Sequence, residues 1–192
     1  MPPFYGRAII FSAPSGSGKT TLVHHLLSSN PDLSFSVSAT TRSRRGKELP
    51  GKDYYFFTPH EFREKLHEDA FVEWQEVYPD RYYGTLKSEI DRVWANQKNV
   101  IFDVDVKGGI NLKNYFGDRA LAIFVRPPSI QVLEQRLTAR NTETPESLRD
   151  RLAKAEYELK FEELFDTTVV NDDLERTKQE VQKLYTNFID QP

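Results

Sequence analysis

An apolar run, Ala8-Ile9-Ile10-Phe11, leads into Ala13-Pro14-Ser15-Gly16-Ser17-Gly18-Lys19-Thr20 and then into Leu22-Val23, and this order constrains the fold more than any other stretch of the chain. The eight residues follow the pattern of a phosphate-gripping loop: glycine, four residues, glycine, lysine, then serine or threonine. Ala13 stands in the place of the first glycine. The run before them reads as a strand, and Leu22, Val23, Leu26 and Leu27 recur at helical spacing, so strand, loop and helix are expected in that order. Gly16 and Gly18 let consecutive backbone N–H groups turn toward one anion, and a helix starting near Lys19 adds the positive end of its dipole. Lys19 supplies a mobile cation for terminal phosphates, and the Thr20 hydroxyl a ligand for Mg²⁺. Alanine at position 13 is compatible with the loop provided its φ is negative.

Composition narrows the class. The chain has 192 residues, enough for one domain with a real core, and 29% are charged, as on a soluble globular protein. Its net charge of −3 gives no bulk attraction to nucleic acid or to an acidic membrane, so any anion site must be a local concentration of Lys and Arg. The absence of cysteine excludes disulfides, thiolate metal sites and a cysteine nucleophile. His24, His25, His60 and His67 lack metal-ligand spacing and read as surface residues. No stretch approaches the roughly 20 apolar residues that span a bilayer, and the first residues have no signal-peptide core, so a cytoplasmic enzyme is expected.

Strands are expected over residues 7–12, 34–39, 54–57, 99–104, 120–125 and 168–171, several as continuous apolar runs that suit strands buried on both faces of a parallel sheet. Helices are expected over 19–28, 59–68, 86–96, 129–139, 145–165 and 174–188. Thr58-Pro59-His60-Glu61 reads as a capping box with proline at the first helical position, and Thr144-Pro145 opens a helix in a similar way. The alternation argues for a three-layer α/β core with a parallel sheet. Residues 35–85 break that rhythm, alternating aromatics with charges as a small mixed sheet would, and read as an inserted substrate subdomain.

Within that insertion, Ser38-Ala39-Thr40-Thr41-Arg42-Ser43-Arg44-Arg45-Gly46-Lys47 crowds cations into a turn-rich stretch, and guanidinium groups suit bidentate phosphate capture. Two anion sites suggest a donor and a phosphorylated acceptor. At this point the chain resembles the guanylate kinase family over nearly its whole length. The resemblance rests on residues 12–21 and on 36–46, followed by Gly51-Lys52-Asp53-Tyr54-Tyr55-Phe56 and Phe71-Val72-Glu73-Trp74. It extends through Tyr82-Tyr83-Gly84-Thr85, Asp103-Val104-Asp105 and Val170-Asn171-Asp172-Asp173-Leu174.

The resemblance implies a P-loop kinase core over about 1–34, 86–135 and 152–192, a GMP-binding subdomain over about 35–85 and a helical lid over about 136–151. It implies ATP-dependent phosphorylation of GMP and dGMP, with Mg²⁺ accompanying ATP. ATP would lie on Ala13, Pro14, Ser15, Gly16, Ser17, Gly18, Lys19, Thr20 and Thr21, with Asn171 contributing to adenine recognition. Arg42, Arg45, Tyr54 and Tyr83 would hold the GMP phosphate, and Ser38, Glu73, Thr85 and Asp103 would surround guanine. Arg136, Arg140 and Arg151 would close over the ATP phosphates, catalysing transfer with Lys19 and Arg42.

Chemistry supports part of this independently, since guanine presents N1–H and its N2 amine as adjacent donors that a carboxylate such as Glu73 accepts together, while adenine does not. Asp103 could read the base or steer an arginine, and Asp105 could hold a metal-bound water or serve structurally. Lys107 stands where the family commonly has Gln, and Asn141 where it commonly has Gly. The readings that remain beside this one are a P-loop kinase with another acceptor, such as a ribose bisphosphate, and a non-catalytic phosphopeptide-binding module of the same fold. Neither nucleic acid nor a membrane is an expected partner, and a homo-oligomer stays open.

Overall fold

The computed structural model describes residues 4–139 and 144–191. Arg140 and Asn141, both singled out above, lie outside them. The first strand, β1 (Ala8–Ser12), is buried at every residue and runs into the glycine loop, after which α1 (Lys19–Ser29) begins at the expected lysine. β1 is the middle of a five-stranded parallel sheet completed by β2 (Leu33–Phe35), β7 (Asn99–Val104), β8 (Ala120–Arg126) and β9 (Thr167–Val170), in the order β2-β7-β1-β8-β9.

Successive side chains of a strand point to opposite faces, and here both faces are covered. Ile9, Phe11, Ile101, Ile123 and Val125 pack with Leu22, Val23 and Leu26 of α1 and with Val181, Tyr185 and Phe188 of α7 (Leu174–Ile189). Their neighbours Ala8, Ile10, Val100, Phe102, Ala122 and Phe124 pack on the other face. There they meet Ile90 and Val93 of α3 (Lys87–Ala95) and Val106, Leu112 and Phe116 of α4 (Val106–Phe116). This is the three-layer core that the apolar runs imply. Among the described residues no helix is long and apolar enough to cross a membrane.

The expected strand over 34–39 is two strands in two sheets. β2 ends at Phe35, and β3 (Ala39–Thr40) belongs to a four-stranded sheet with β4 (Tyr55–Phe56), β5 (Phe71–Tyr78) and β6 (Arg81–Leu86), in the order β4-β3-β6-β5. β3 pairs parallel with β4 and antiparallel with β6, so the small sheet is mixed. β5 and β6 form a hairpin whose tight turn places Asp80 at φ 59. Phe62 of α2 (Pro59–His67) seats this sheet: it is fully buried, 4.4 Å from the Phe71 ring and 5.2 Å from that of Tyr82, centre to centre. The expected capping box is present at the start of α2, with Thr58 and Glu61 bonded reciprocally and Pro59 in the first turn.

α5 (Ile130–Thr138) and α6 (Pro145–Glu158) pack against each other through Leu133, Leu137 and Ala155. The long helix expected over 145–165 ends at Glu158 and tightens to a 3₁₀ segment, Leu159–Leu164. Leu159 and Phe161 in that segment lie against the core face of α3 and α4, a tertiary demand that regular α spacing did not anticipate. His24, His60 and His67 are exposed and His25 is half-buried.

Candidate active site

Parallel strands present their carboxyl ends to one edge of a sheet, and the loops there are where α/β folds bind ligands. The ends of β1 and β7 border a cleft of about 460 Å³ lined by residues 13–21, by Asp103 and Asp105, and across from them by Glu73 and Tyr83 of the small sheet and by Ser38 and Tyr54, which immediately precede its strands β3 and β4. Arg151, Lys154 and Glu158 of α6 border it as well.

The glycine loop takes its shape from backbone geometry. Gly16 and Gly18 have φ of 96° and 91°, values that L side chains rarely adopt. At Gly18 there is no room for one either, since a Cβ would come 2.2 Å from Asn171 Nδ2. Positive φ among the described non-glycine residues is confined to Asp69, Asp80 and Gln97, so Ala13 meets the condition set for it. Asn171, just past β9, donates through Nδ2 to the Ser17 carbonyl at 2.7 Å and so buttresses the loop, while the cap of α7 is Asp173. Arg151 Nη1 donates to Ser15 Oγ at 2.8 Å.

Lys19 and Thr20 converge on one carboxylate. Lys19 Nζ is in contact with Asp103 Oδ1, and Thr20 Oγ1 donates to Asp103 Oδ2 at 2.7 Å. Burial lowers the Lys19 ammonium to about 8, partly opposed by the negative charges of Asp105 and Glu158. Such a lysine gains most from an incoming polyanion. Asp105 caps α4, accepting from Gly108 N–H at 2.9 Å, and its carbonyl accepts from Ser12 Oγ at 3.1 Å. The helix can come this close to β1 because Gly109 has no side chain: a Cβ there would lie 2.1 Å from Ser12 Oγ.

On the far wall, Glu73 of β5 and Thr85 of β6 are paired in register, and Thr85 Oγ1 donates to Glu73 Oε1 at 2.9 Å. Glu73 is 8% exposed. Burial raises its carboxyl to about 7, against the pull of the Thr85 hydrogen bond and with a further push from Asp105. Tyr54 and Tyr83 meet edge to face at 6.3 Å. The Arg42 guanidinium lies over Tyr54 and is gripped through both Nη atoms by Glu48, whereas Arg45 is exposed and gives its backbone N–H to the same Glu48.

The cleft therefore gathers the loop, Ser38, Tyr54, Glu73, Tyr83, Asp103, Asp105 and Arg151. Thr85 and Arg42 reach it through Glu73 and Tyr54. Arg136 is turned toward the Asn171 carbonyl, to which Nη2 donates at 2.8 Å, and its buried Nη1 has no hydrogen-bond partner among the described residues. Lys107 is exposed and borders a neighbouring cleft of about 180 Å³. Sequence reasoning missed Glu48, Lys154 and Glu158. The last two could have been found, because Arg151, Lys154 and Glu158 are spaced by three and four on a helix and so share a face. Glu158 is buried, which raises its carboxyl above the ordinary range.

Comparison with known proteins identifies the family. The family model for guanylate kinase matches residues 5–187. A guanylate kinase of Bacteroides thetaiotaomicron is 52% identical over 184 residues, 96% of this chain and 90% of the relative. One from Porphyromonas gingivalis is 50% identical over 184 residues, 95% of this chain and 98% of the relative. Among solved structures, guanylate kinase from Anaplasma phagocytophilum superimposes with a TM-score of 0.75 at 24% identity, covering 100% of this chain and 89% of that one, which speaks to the fold. With a family model matched almost end to end and relatives half identical over nearly the whole length, this chain belongs to the guanylate kinase family.

Proposed function

We propose that this protein transfers the γ-phosphoryl group of ATP to GMP or dGMP, forming GDP or dGDP. The observation that carries the reading is one cleft with a glycine loop and Lys19 on one wall and the buried pair Glu73–Thr85 on the other. The first wall suits a polyphosphate. The second suits guanine, whose N1–H and N2 amine meet a carboxylate as two donors, and a buried site built this way rejects a base that lacks them.

In the reaction an oxygen of the GMP phosphate forms a bond to the γ-phosphorus as the bond to the β–γ bridging oxygen breaks, and ADP leaves with that electron pair. The acceptor phosphate has its second pKa near ~6 and is already largely dianionic at neutral pH, so no general base is needed. The protein's work is positioning and charge neutralisation. The loop N–H groups and Lys19 hold the donor phosphates, with Lys19 exchanging Asp103 for phosphate oxygens as ATP enters. Arg42, Arg45, Tyr54 and Tyr83 hold the acceptor phosphate; Ser38, Glu73, Thr85 and Asp103 face the base. Arg151 at Ser15 is placed to follow charge on the donor phosphates, and Arg136 and Arg140 belong to the same lid, 136–151, closing over the core while residues 35–85 close from the other side. Closure excludes water as a competing acceptor.

The Thr20 hydroxyl, and the Asp105 carboxylate through a water, are hard oxygen donors of the kind Mg²⁺ takes together with substrate phosphates, so the donor set fits that ion. When bound, the ion neutralises charge on the β- and γ-phosphates. We place the reaction in the cytoplasm, within purine nucleotide metabolism. A coupled ADP-release assay with GMP, dGMP, AMP, CMP and UMP as acceptors tests the reading: turnover confined to GMP and dGMP supports it, and turnover independent of acceptor overturns it.

A further inference from the structure

Two residues next to candidate GMP contacts are bonded to a carboxylate that lies outside the cleft. Val37 precedes Ser38 on the crossing between β2 and β3, and Tyr55 follows Tyr54 on β4. The Val37 N–H donates to Glu89 Oε1 at 2.8 Å, and the Tyr55 hydroxyl donates to Glu89 Oε2 at 3.0 Å. Glu89 is in the first turn of α3, the helix whose Ile90 and Val93 pack on the main sheet. Its side chain is 0% exposed.

A buried carboxylate is costly unless its charge is paired and its lone pairs are used. Glu89 meets both conditions. Arg92 Nη2 donates to Oε1 at 2.7 Å and Arg92 Nε to Oε2 at 2.9 Å, so each oxygen accepts two hydrogen bonds. Arg92 Nη2 also lies 3.4 Å from the carbonyl of Phe35, the last residue of β2. Four directional bonds on one rigid group define the position of everything attached to it. The two attachments outside α3 are in the segment where the chain leaves the main sheet and in the edge strand of the small sheet, and the two are bonded to each other, Tyr55 N–H to the Ser38 carbonyl at 2.9 Å.

We infer that Glu89 is a positioning residue for the acceptor half of the cleft: anchored on the core helix α3, it fixes the crossing at Val37 and the strand at Tyr55, and through them the neighbouring Ser38 and Tyr54. Glu89 touches no substrate. The inference rests on the assignment of Ser38 and Tyr54 to GMP.

Steady-state kinetics with both substrates varied tests it on wild type, Glu89→Gln and Tyr55→Phe, with a thermal melt on each. Gln offers one acceptor oxygen and a donor where Glu89 offers two acceptors, and Tyr55→Phe removes a single bond while leaving the carboxylate paired to Arg92. The KM for GMP is expected to rise about tenfold in Glu89→Gln and about threefold in Tyr55→Phe, with the KM for ATP within about twofold of wild type in both, the scale of losing one or more hydrogen bonds to a charged group. An unchanged GMP KM in a folded variant overturns the inference, as does a parallel rise in both KM values, which is what general loosening of the fold would produce. Should Glu89→Gln fail to fold, Tyr55→Phe decides alone. Wild type without GMP-dependent turnover would sink the substrate assignment itself, a result distinct from either.

Discussion

Glu48 holds Arg42 with both carboxylate oxygens, Oε1 to Nη2 at 2.6 Å and Oε2 to Nη1 at 2.7 Å, while the guanidinium carbon sits 4.8 Å from the centre of the Tyr54 ring. The Arg45 N–H donates to the same carboxylate at 2.8 Å. These donors, the Arg42 side chain first, hold Glu48 down to about 2, so the lock stays ionised across the physiological range. Arg42 Nη1 also donates to the Ser43 carbonyl at 2.9 Å, so the plane of the guanidinium over Tyr54 is fixed from both ends of the fork.

Glu48→Gln keeps the shape and loses half of the fork. The KM for GMP is expected to rise about tenfold while that for ATP stays unchanged, in keeping with loss of a charge-assisted bidentate pair that orients a phosphate ligand. A GMP KM equal to wild type would show that Glu48 does not set the pose of Arg42.

Lys19→Ala removes the cation that Asp103 now holds beside the loop. Turnover is expected to fall at least ~10²-fold, the scale of losing one preorganised charge-stabilising donor. A steady-state assay showing near-normal turnover would defeat the role given to Lys19.

Glu73 is expected to make acceptor use depend on pH. Burial raises its carboxyl to about 7, and guanine's two donors require the ionised form. kcat/KM for GMP is therefore expected to climb as pH rises toward about 7 and to level off above it. The GMP phosphate contributes its own limb near ~6, so Glu73→Gln is the comparison that decides, since it keeps that limb and loses the upper one.

Stability carries the same titration with a definite sign. The folded protein keeps the Glu73 proton up to about 7 while the unfolded chain releases it near the ordinary 4.5, so between those values folding takes up protons and stability falls as pH rises. Above that window Glu73→Gln is expected to exceed wild type by on the order of 2 kcal/mol, a figure that allows for a weakened bond from Thr85. Urea unfolding on both sides of the window reads the difference, and a variant less stable than wild type at the alkaline end would contradict it.

Gly18→Ala tests the loop. The residue combines φ of 91° with a Cβ position 2.2 Å from Asn171 Nδ2, so the variant is expected to lose about 1–3 kcal/mol of stability and to bind ATP more weakly. In an Asn171→Ala background the clash is gone and only the backbone strain remains, so the added cost of Gly18→Ala is expected to shrink. Melts of the four proteins give the coupling directly.

Much of the fold was legible because its signals are local. The apolar run at 8–11, the glycine loop, the helical spacing after Lys19 and the cap at Thr58 each lie within a few residues, and each appears where its chemistry requires. The hairpin of β5 and β6 was legible only as a mixed sheet somewhere in the insertion, since Phe71-Val72-Glu73-Trp74 alternates too weakly to mark strand ends by itself. Helix α4 was not read because Val106-Lys107-Gly108-Gly109 opens it with two poor helix formers. Those glycines are there for closeness to Ser12 and Asp105, a tertiary reason.

What the amino-acid sequence determined on its own was chemistry at short range: which residues can cradle phosphate, which can start a helix and which strands are buried on both faces. The tertiary structure alone decided where residues 34–39 change sheets, that Lys19 and Thr20 share Asp103, that Asn171 supports Ser17, and that Glu48 and Glu89 hold Arg42 and the β2–β3 crossing. Of these only the Glu48–Arg42 grip joins residues close in the chain; in the rest a pairing or hydrogen-bonding partner lies more than 40 positions away. A carboxylate's role depends on which donors reach it, and no local pattern records which donors the folded chain will bring.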